Sequence, residues 1–145
     1  MEKFLEFMAE HTPVAKFLLQ NGRSWAVGPC TFKGRPSLSG RCFKNAFRLA
    51  MQRPEFTYVE GYAMSVVPMH HAWCVDRTGR VVDPTWRCNE HVTHDIYWGV
   101  AFNFDYVLDA VAINGVYGLL DPYHNRETVG ALLDGTANWR VKENV

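Results

Sequence analysis

The chain has 145 residues, of which 48% are hydrophobic and 21% are charged, values typical of one globular domain with one core. Fifteen basic residues balance fifteen acidic residues, so the net charge does not indicate a protein that binds nucleic acid or a membrane surface. No apolar run approaches the roughly 20 residues of a membrane-spanning helix, and Glu6 and Glu10 interrupt the apolar N-terminus where a signal peptide has a continuous apolar core. We expect one cytoplasmic domain over residues 1–145, without nucleic-acid or membrane partners.

Helices are predicted at the start of the chain. Apolar residues recur at helical spacing over residues 2–20, which indicates one amphipathic helix or two helices divided at Pro13. Asn21 and Gly22 provide a stop for this region. The glycine- and proline-rich residues 22–38 are predicted to form an irregular loop.

A further helix is predicted over about residues 40–52, with Ser37 or Ser39 as its N-cap. Its apolar residues recur at the spacing that places them on one buried face. They are Phe43, Ala46, Phe47 and Ala50.

The second half of the chain is predicted to form neighbouring strands and then helices. Segments rich in aromatic and β-branched residues indicate strands, and these segments are 56–67, 71–75, 80–83 and 96–102. Helical spacing indicates helices at 104–113 and 127–133. Helices followed by a run of strands predict the α+β class, with an antiparallel sheet.

Three residues with complementary chemistry lie on these elements. A thiol needs activation at neutral pH because its unperturbed pKa is about 8.5. Cys42 lies in the first turn of a predicted helix, where free backbone N–H groups and the helix dipole favour a thiolate and can hold an oxyanion; Arg41 and Lys44 add positive charge nearby. His71 and Asp83 lie on the two strands that follow. Cys, His and Asp in this order have the chemistry of a nucleophile, its base and the group that orients the base.

The register of the predicted hairpin decides whether the histidine and the aspartate can meet. With a three-residue loop at residues 77–79, Trp73 lies opposite Asp83, and His71 becomes a diagonal neighbour of Asp83 at roughly 7–8 Å between backbones. A loop one residue shorter or longer would place Asp83 on the opposite face from His71. His70 points away from His71 in any regular strand, so we assign it no catalytic role.

Four motifs resemble those of the transglutaminase-like superfamily of papain-like thiol enzymes. The motifs are Gly40-x-Cys42 before a helix, Val59-x-Gly61-Tyr62, His71-Ala72-Trp73 and Val82-Asp83-Pro84-Thr85. They occur in the order of the family and at its spacings. The resemblance implies a papain-like α+β fold with Cys42 as nucleophile, His71 as base and Asp83 as orienter. The superfamily contains peptidases, protein cross-linkers, deamidases and inactive relatives, so the resemblance does not fix the reaction.

Other site residues are less well defined by the sequence. The chain is short for a full transglutaminase, and no motif identifies the side chain of an oxyanion hole. The candidates for that side chain are Gln20, Asn21 and Trp25, of which we select Gln20. Tyr62, Trp73 and Trp98 are predicted to line the substrate cleft, although a place in the core explains these aromatic residues equally well.

A metal site is the main alternative use of the remaining cysteines. The four cysteines are Cys30, Cys42, Cys74 and Cys88. We expect thiols because no export signal is present, although an even number also permits two disulfides. Cys88, His91 and His94, with Cys74 as a fourth ligand, offer zinc ligands, but their spacing matches no common zinc finger. We therefore predict no metal and no cofactor, and a polar loop at these residues.

The predicted function is a thiol-dependent hydrolase or acyltransferase that acts on an amide bond of a protein or peptide through an acyl-enzyme. Hydrolysis is expected over cross-linking, because a transferase must shield its acyl-enzyme from water and bind a second substrate. The alternatives are a catalytically silent binding module of the same fold and a small metal-binding protein. A further alternative is an enzyme similar to arylamine acetyltransferases, whose nucleophile region resembles Gly40-Arg41-Cys42-Phe43. Those enzymes are much longer, and the Asp83-Pro84-Thr85 segment fits them poorly.

Overall fold

A computed structural model of the chain describes residues 1–27, 40–64, 66–86 and 97–142. These residues form helices and one sheet, so the α+β class predicted from the sequence is confirmed. The helices are α1 (Glu2–Ala9), α2 (Pro13–Asn21), α3 (Cys42–Gln52), α4 (Phe104–Asn114) and α5 (Arg126–Asp134). The strands are β1 (Arg23–Ser24), β2 (Ala26–Val27), β3 (Thr57–Met64), β4 (Pro68–Val75), β5 (Arg80–Val82) and β6 (Tyr97–Ala101).

The N-terminal helical region is divided at the predicted proline. Thr12 is the N-cap of α2, and its hydroxyl accepts a hydrogen bond from the backbone N–H of Ala15. Pro13 occupies the first position of α2, where a backbone N–H has no intrahelical acceptor and its loss does not weaken the helix. Helix α2 ends before Gly22, as predicted.

Helix α3 begins at Cys42, with Arg41 as its N-cap. This corrects the prediction of a serine cap: the Arg41 side chain makes no capping hydrogen bond, and Ser37 and Ser39 lie outside the described residues. Gly40 turns the chain into the helix with a φ of 81°, a left-handed conformation that glycine adopts without strain. Cys42 is therefore the first helical residue, and the predicted first-turn position of the thiol is confirmed.

The six strands form one sheet in the order β1-β6-β3-β4-β5-β2. The four predicted strands are present as β3 to β6, and they pair antiparallel with one another. The prediction of a wholly antiparallel sheet was wrong, because β2 pairs with β5 in parallel. The prediction of an irregular loop over 22–38 was wrong at β1 and β2, while residues 28–38 lie outside the described residues. Each of these strands has only two residues, too few for a periodic pattern, and each pairs with a strand that is distant in the chain.

The sheet curls until its two edges approach each other. Strand β1 pairs with β6 at one edge, and strand β2 pairs with β5 at the other edge, yet only Trp25 separates β1 from β2 in the chain. One residue spans only about 3.5 Å of extended chain, so the two edges must lie close together. The sheet therefore has a concave inner face and a convex outer face.

The two faces of the sheet carry separate apolar clusters. All five helices contribute to the cluster on the outer face, including Ala46, Phe47 and Ala50 from the predicted buried face of α3, whereas Phe43 is partly buried at its margin. The buried members of the inner cluster come from the strands and from the link between β1 and β2: Trp25, Val59, Ala63, Trp73, Val75, Val81 and Tyr97. Side chains that alternate along a strand therefore enter two different environments.

Among the described residues, none of the helices combines the length and the hydrophobicity that crossing a bilayer requires.

Candidate active site

The hairpin of β4 and β5 has the predicted register. Cys74 pairs with Val82 and Val75 pairs with Val81, and this register places His71 and Asp83 on the inner face of the sheet as diagonal neighbours. The Nε2 atom of His71 lies 2.7 Å from Oδ2 of Asp83. Both side chains are only 2% exposed, so solvent screens this pair weakly.

The Asp83 carboxylate accepts hydrogen bonds at both oxygens. Oδ1 accepts from the backbone N–H groups of Thr85 at 2.9 Å and Trp86 at 3.0 Å, and Oδ2 accepts from His71 and from the hydroxyl of Tyr97 at 2.8 Å. Burial acts to raise the pKa of Asp83, but these hydrogen bonds and the charge of His71 hold it below its ordinary value. Asp83 is therefore a carboxylate at neutral pH.

The imidazole of His71 lies between two acidic groups. Its Nε2 lies within hydrogen-bond distance of Asp83, and the Cys42 side chain is close enough to the ring to influence its protonation. Burial, the largest single influence, acts to lower the pKa of His71, but the hydrogen bonds to Asp83 and Cys42 and the negative charges of both outweigh it and raise the pKa to about 9. His71 therefore carries a proton at neutral pH.

The indole of Trp86 covers the imidazole. The two rings are stacked with centroids 4.0 Å apart and planes inclined by 19°. Trp86 follows Asp83 in the same turn, and its backbone N–H is one of the two donors to Oδ1 of Asp83. This hydrogen bond helps to position the indole over the imidazole. The stack fixes the plane of the imidazole and shields its bond to Asp83 from water.

A direct hydrogen bond connects the nucleophile helix to the turn after Asp83. The side-chain amide of Asn45, three residues after Cys42, donates to the hydroxyl of Thr85 at 3.0 Å. Cys42 itself is partly exposed. The three predicted triad residues are thus brought together from α3, from β4 and from the end of β5.

Glycines make room for this arrangement on the inner face. Gly61 pairs with His71 on one side and with Gly99 on the other. A Cβ on Gly61 would lie 2.1 Å from the carbonyl oxygen of Trp98, which is an impossible contact with backbone. The glycine of the predicted Val59-x-Gly61-Tyr62 motif is therefore required by the close approach of β3 and β6.

The predicted aromatic lining of the cleft is located elsewhere. Tyr62 pairs with His70 and with Trp98, so both aromatic residues lie on the outer face with the helices, opposite to His71. Trp73 shares the inner face with His71 but is 0% exposed, so it supports the site from below and cannot line an open cleft. Aromatic residues in a strand with two covered faces give no sequence signal for the face they occupy.

The predicted oxyanion-hole side chain is also not brought to Cys42. Gln20 lines a cavity of about 510 Å³ between α2, α5 and the segment around Trp139, and none of the triad residues contributes to that lining. Asn21 donates to the carbonyl of its own helix at Phe17. The indole N–H of Trp25 donates to the carbonyl of Gly99 at 3.0 Å. Among the described residues, the backbone N–H groups of the first turn of α3 are the candidate oxyanion donors that adjoin Cys42.

Tyr97 is the site residue that sequence reasoning missed. The sequence indicates only a predicted strand at this position. Tyr97 lies on β6, three strands away from β5 in the sheet order, so no sequence spacing indicates its contact with Asp83. The curled sheet alone brings these two residues together.

The other thiols and the candidate zinc ligands are separate from this site. Cys74 is fully buried, and its Sγ donates to the carbonyl of Ala46; burial raises the pKa of Cys74 far above its ordinary value. Cys30, Cys88 and the histidines at positions 91 and 94 lie outside the described residues. The part of the chain that the structure describes contains no group of three His, Cys, Asp or Glu residues arranged to hold a metal ion.

Comparison of the chain with models of protein families gave no match, and its comparisons with curated proteins and with solved structures gave none either. The geometry of the site is therefore the basis on which a function is assigned.

Proposed function

We propose that this chain is a thiol-dependent hydrolase or acyltransferase that acts on an amide bond of a protein or peptide through a Cys42–His71–Asp83 triad. One observation carries the proposal: a buried imidazole is bonded to the Asp83 carboxylate and lies near the Cys42 side chain, and both groups raise its pKa. The order and spacing of the motifs, similar to those of transglutaminase-like and other papain-like enzymes, support the same function.

The first half of the reaction forms an acyl-enzyme. The Cys42 thiolate attacks the carbonyl carbon of the amide, and the electron pair of the C=O bond moves to the oxygen. Backbone N–H groups in the first turn of α3 stabilise that oxyanion. The His71 imidazolium then donates its proton to the amide nitrogen, the C–N bond breaks, and a free amine leaves a thioester on Cys42.

The second half returns the enzyme to its starting state. The now neutral His71 accepts a proton from a water molecule as its oxygen attacks the thioester carbon, and the acid product leaves as the Cys42 thiolate reforms. An amine in place of water gives transamidation by the same steps. We favour hydrolysis, because transfer requires a second substrate and exclusion of water from the thioester.

A cavity beside the nucleophile offers a place for the substrate. It has a volume of about 420 Å³ and opens between the first turn of α3 and the turn after α4. Its lining residues are Gly40, Arg41, Phe43, Lys44, Gly115, Val116 and Tyr117. Two of these residues, Arg41 and Phe43, flank Cys42 in the chain, although Cys42 itself is not part of the lining.

A labelling experiment tests the proposal with two cysteines of the same chain. At pH 6, iodoacetamide is expected to alkylate Cys42 and not Cys74, because the first thiol is paired with an imidazolium and the second is buried in an apolar environment. Peptide mapping by mass spectrometry locates the label. Incubation with an activated acyl ester is expected to give a thioester on Cys42 that disappears in water.

The matched variants are Cys42→Ala and Cys74→Ala. The first is expected to lose labelling at pH 6 and acyl transfer while its thermal midpoint stays within a few degrees of the parent. The second is expected to keep both reactions and to lose stability by about 1 kcal/mol or more, because it removes a buried sulfur from a packed core. A Cys42 that stays unlabelled below pH 8.5 and forms no thioester refutes the proposed function.

A further inference from the structure

Tyr97 contacts the triad from an element that the proposed mechanism does not use. Its hydroxyl lies 2.8 Å from Oδ2 of Asp83, and this oxygen is the one that also lies 2.7 Å from Nε2 of His71. The side chain is 4% exposed. A neutral phenol donates one proton, so the contact is a hydrogen bond from Tyr97 to the carboxylate.

We propose that Tyr97 is a positioning residue of the triad, which fixes Oδ2 of Asp83 in the place where it accepts the proton of His71 Nε2. The inference rests on the proposed function, since it assigns Tyr97 a part in the same site. Tyr97 acts through Asp83 and does not touch the reacting atoms.

The donors to Asp83 divide between its two oxygens. The backbone N–H groups of Thr85 and Trp86 both bind Oδ1, whereas the Tyr97 hydroxyl binds Oδ2, the oxygen that His71 also contacts. Tyr97 therefore holds the carboxylate at the oxygen that the imidazole uses. The position of this oxygen matters because the bond to Oδ2 sets the orientation of the His71 ring, which also interacts with Cys42.

Tyr97 is itself held rigidly. Its ring meets the indole of Trp73 edge to face with centroids 4.9 Å apart, and its carbonyl accepts from the backbone N–H of Trp25 at 2.9 Å. Strand β3 pairs with β6 at Ala63 opposite Tyr97. The hydroxyl is therefore presented by a fixed ring on a paired strand, and little conformational entropy is lost when it binds Asp83.

This contact depends on the curl of the sheet. In a flat sheet, β6 and β5 are separated by three strand spacings, or about 14 Å. Tyr97 and Asp83 meet across the concave inner face, while the adjoining Trp25 connects β1 and β2 at the two edges. The hydrogen bond thus ties the triad to the closure of the sheet.

The test compares Tyr97→Phe with Tyr58→Phe. Tyr58 is also buried, and its hydroxyl also donates to a buried carboxylate at 2.8 Å, that of Glu60 on the outer face. Both variants lose one such hydrogen bond and keep the ring, so their losses of stability should be similar. Only Tyr97→Phe is expected to lower the rate of Cys42 acylation at saturating acyl ester, about ten-fold, with little change in KM.

The pH profile separates positioning from stability. The Tyr97 hydrogen bond favours the ionised form of Asp83, so its loss should raise the pKa of Asp83 and move the acid limb of the rate profile to higher pH. Tyr58→Phe should leave that limb unchanged. A folded Tyr97→Phe variant with the parental rate and the parental acid limb overturns the proposal.

An independent measurement on the unmodified protein tests the proposal even if the Tyr97→Phe variant does not fold. In the unmodified protein, NMR should detect the Tyr97 hydroxyl proton as protected from exchange with water, and should detect the His71 Nε2–H proton far downfield. A freely exchanging Tyr97 hydroxyl overturns the positioning role. An inert Cys42 in a protein that shows both protected protons refutes the proposed function while the Tyr97–Asp83–His71 arrangement stands, so the two failures are distinguishable.

Discussion

The two faces of the sheet carry two buried carboxylates with nearly the same set of partners. On the inner face, Asp83 accepts from two backbone N–H groups, from the hydroxyl of Tyr97 and from His71. On the outer face, Glu60 accepts from the hydroxyl of Tyr58 and from the backbone N–H groups of Leu119 and Leu120. A histidine lies beside each carboxylate. The histidines are neighbours in sequence, His71 and His70, which point to opposite faces because side chains alternate along a strand.

The two carboxylates differ in how their histidine is bonded and in whether a thiol lies near that histidine. His71 is bonded to Asp83 through Nε2, and its ring also interacts with the Cys42 side chain. His70 approaches Glu60 to 3.1 Å, but its Nε2 does not have hydrogen-bond geometry toward any partner in the described part of the chain. Its ring contacts Phe43 edge to face at 4.9 Å. A His–carboxylate pair therefore occurs on both faces, but only the His71–Asp83 pair is fully buried, hydrogen-bonded and close to a thiol.

Glu60 has an evident structural role. Its carboxylate binds consecutive backbone N–H groups at Leu119 and Leu120, in the segment between α4 and α5. The Glu60 carboxylate therefore anchors the segment between α4 and α5, whereas the Asp83 carboxylate holds the His71 imidazole.

Replacing each histidine in turn with alanine should give the largest difference in activity between the two faces. His71→Ala removes the general base and the charge paired with the thiolate, so acylation should fall on the order of 10⁴-fold and labelling of Cys42 should need a pH near that of an ordinary thiol. His70→Ala should keep the labelling at pH 6. The measurement is the pH–rate profile of iodoacetamide labelling with peptide mapping. If the two variants had the same pH–rate profile for Cys42 labelling, His71 would have no special role in activating the thiol.

The two carboxylates should separate activity from stability. Asp83→Asn keeps the imidazole but loses its orienting charge, so we expect a smaller fall in acylation than for His71→Ala, about 10²-fold. Glu60→Gln places an amide N–H₂ or a weaker acceptor against backbone donors that bound a carboxylate, and hydrogen bonds to charged groups contribute roughly 1.5–3 kcal/mol each. It should lower the free energy of unfolding by about 2 kcal/mol or more.

Urea unfolding and acylation rates of the folded fraction check this pair of expectations. A Glu60→Gln variant that is fully folded but inactive would mean that the outer cluster contributes to the chemistry. An Asp83→Asn variant with the parental acylation rate would mean that Asp83 is not required to orient His71.

Those parts of the site that depend on neighbours in the chain are predictable from the sequence. The three-residue loop at 77–79 and the alternation of side chains along a strand are local features, and together they are sufficient to place His71 beside Asp83. Helical spacing likewise places Cys42 in a first turn. Tyr97 could not be predicted, because its contact requires the closure of the sheet through β1 and β2, two strands too short to leave a pattern.

The side of the sheet on which an aromatic residue lies was the other unpredictable feature. Both faces are covered by apolar clusters, so Tyr62 and Trp98 show no alternation of polar and apolar neighbours that would reveal the outer face. Gln20 was selected for the oxyanion hole by its residue type, because no sequence motif identified that side chain. Residue type alone does not indicate where in the fold a side chain lies.

The protonation of His71 gives a more subtle contrast, which concerns pH. The folded pKa of about 9 lies above the unfolded value of about 6.5, so the proton on His71 stabilises the folded chain fully below pH 6.5 and this contribution is lost as pH rises through about 9. Asp83 has the opposite sign: its lowered pKa contributes stability above its unfolded value of about 3.9, and this is lost in acid. An NMR titration of the ring resonances, assigned with a His71→Gln variant, should show His71 protonated at pH 7 and 8. A midpoint at or below 6.5 would contradict the charged pair.

The smallest expected effect concerns the hydrogen bond between helix α3 and the turn after Asp83. The Asn45 amide donates to Thr85 Oγ1 across the junction of α3 and the Asp83 turn, and a partly buried neutral hydrogen bond contributes about 1 kcal/mol. Asn45→Ala and Thr85→Val should each lower the free energy of unfolding by about that amount. If the link also sets the distance from Cys42 to His71, each variant should slow acylation by a few-fold at most, since the stacked Trp86 and the bonds to Asp83 still hold the imidazole. The double variant should cost less than the two single variants together, because they break the same bond. Fully additive losses would mean that Asn45 and Thr85 act separately, and that α3 is positioned against the sheet by its buried face alone.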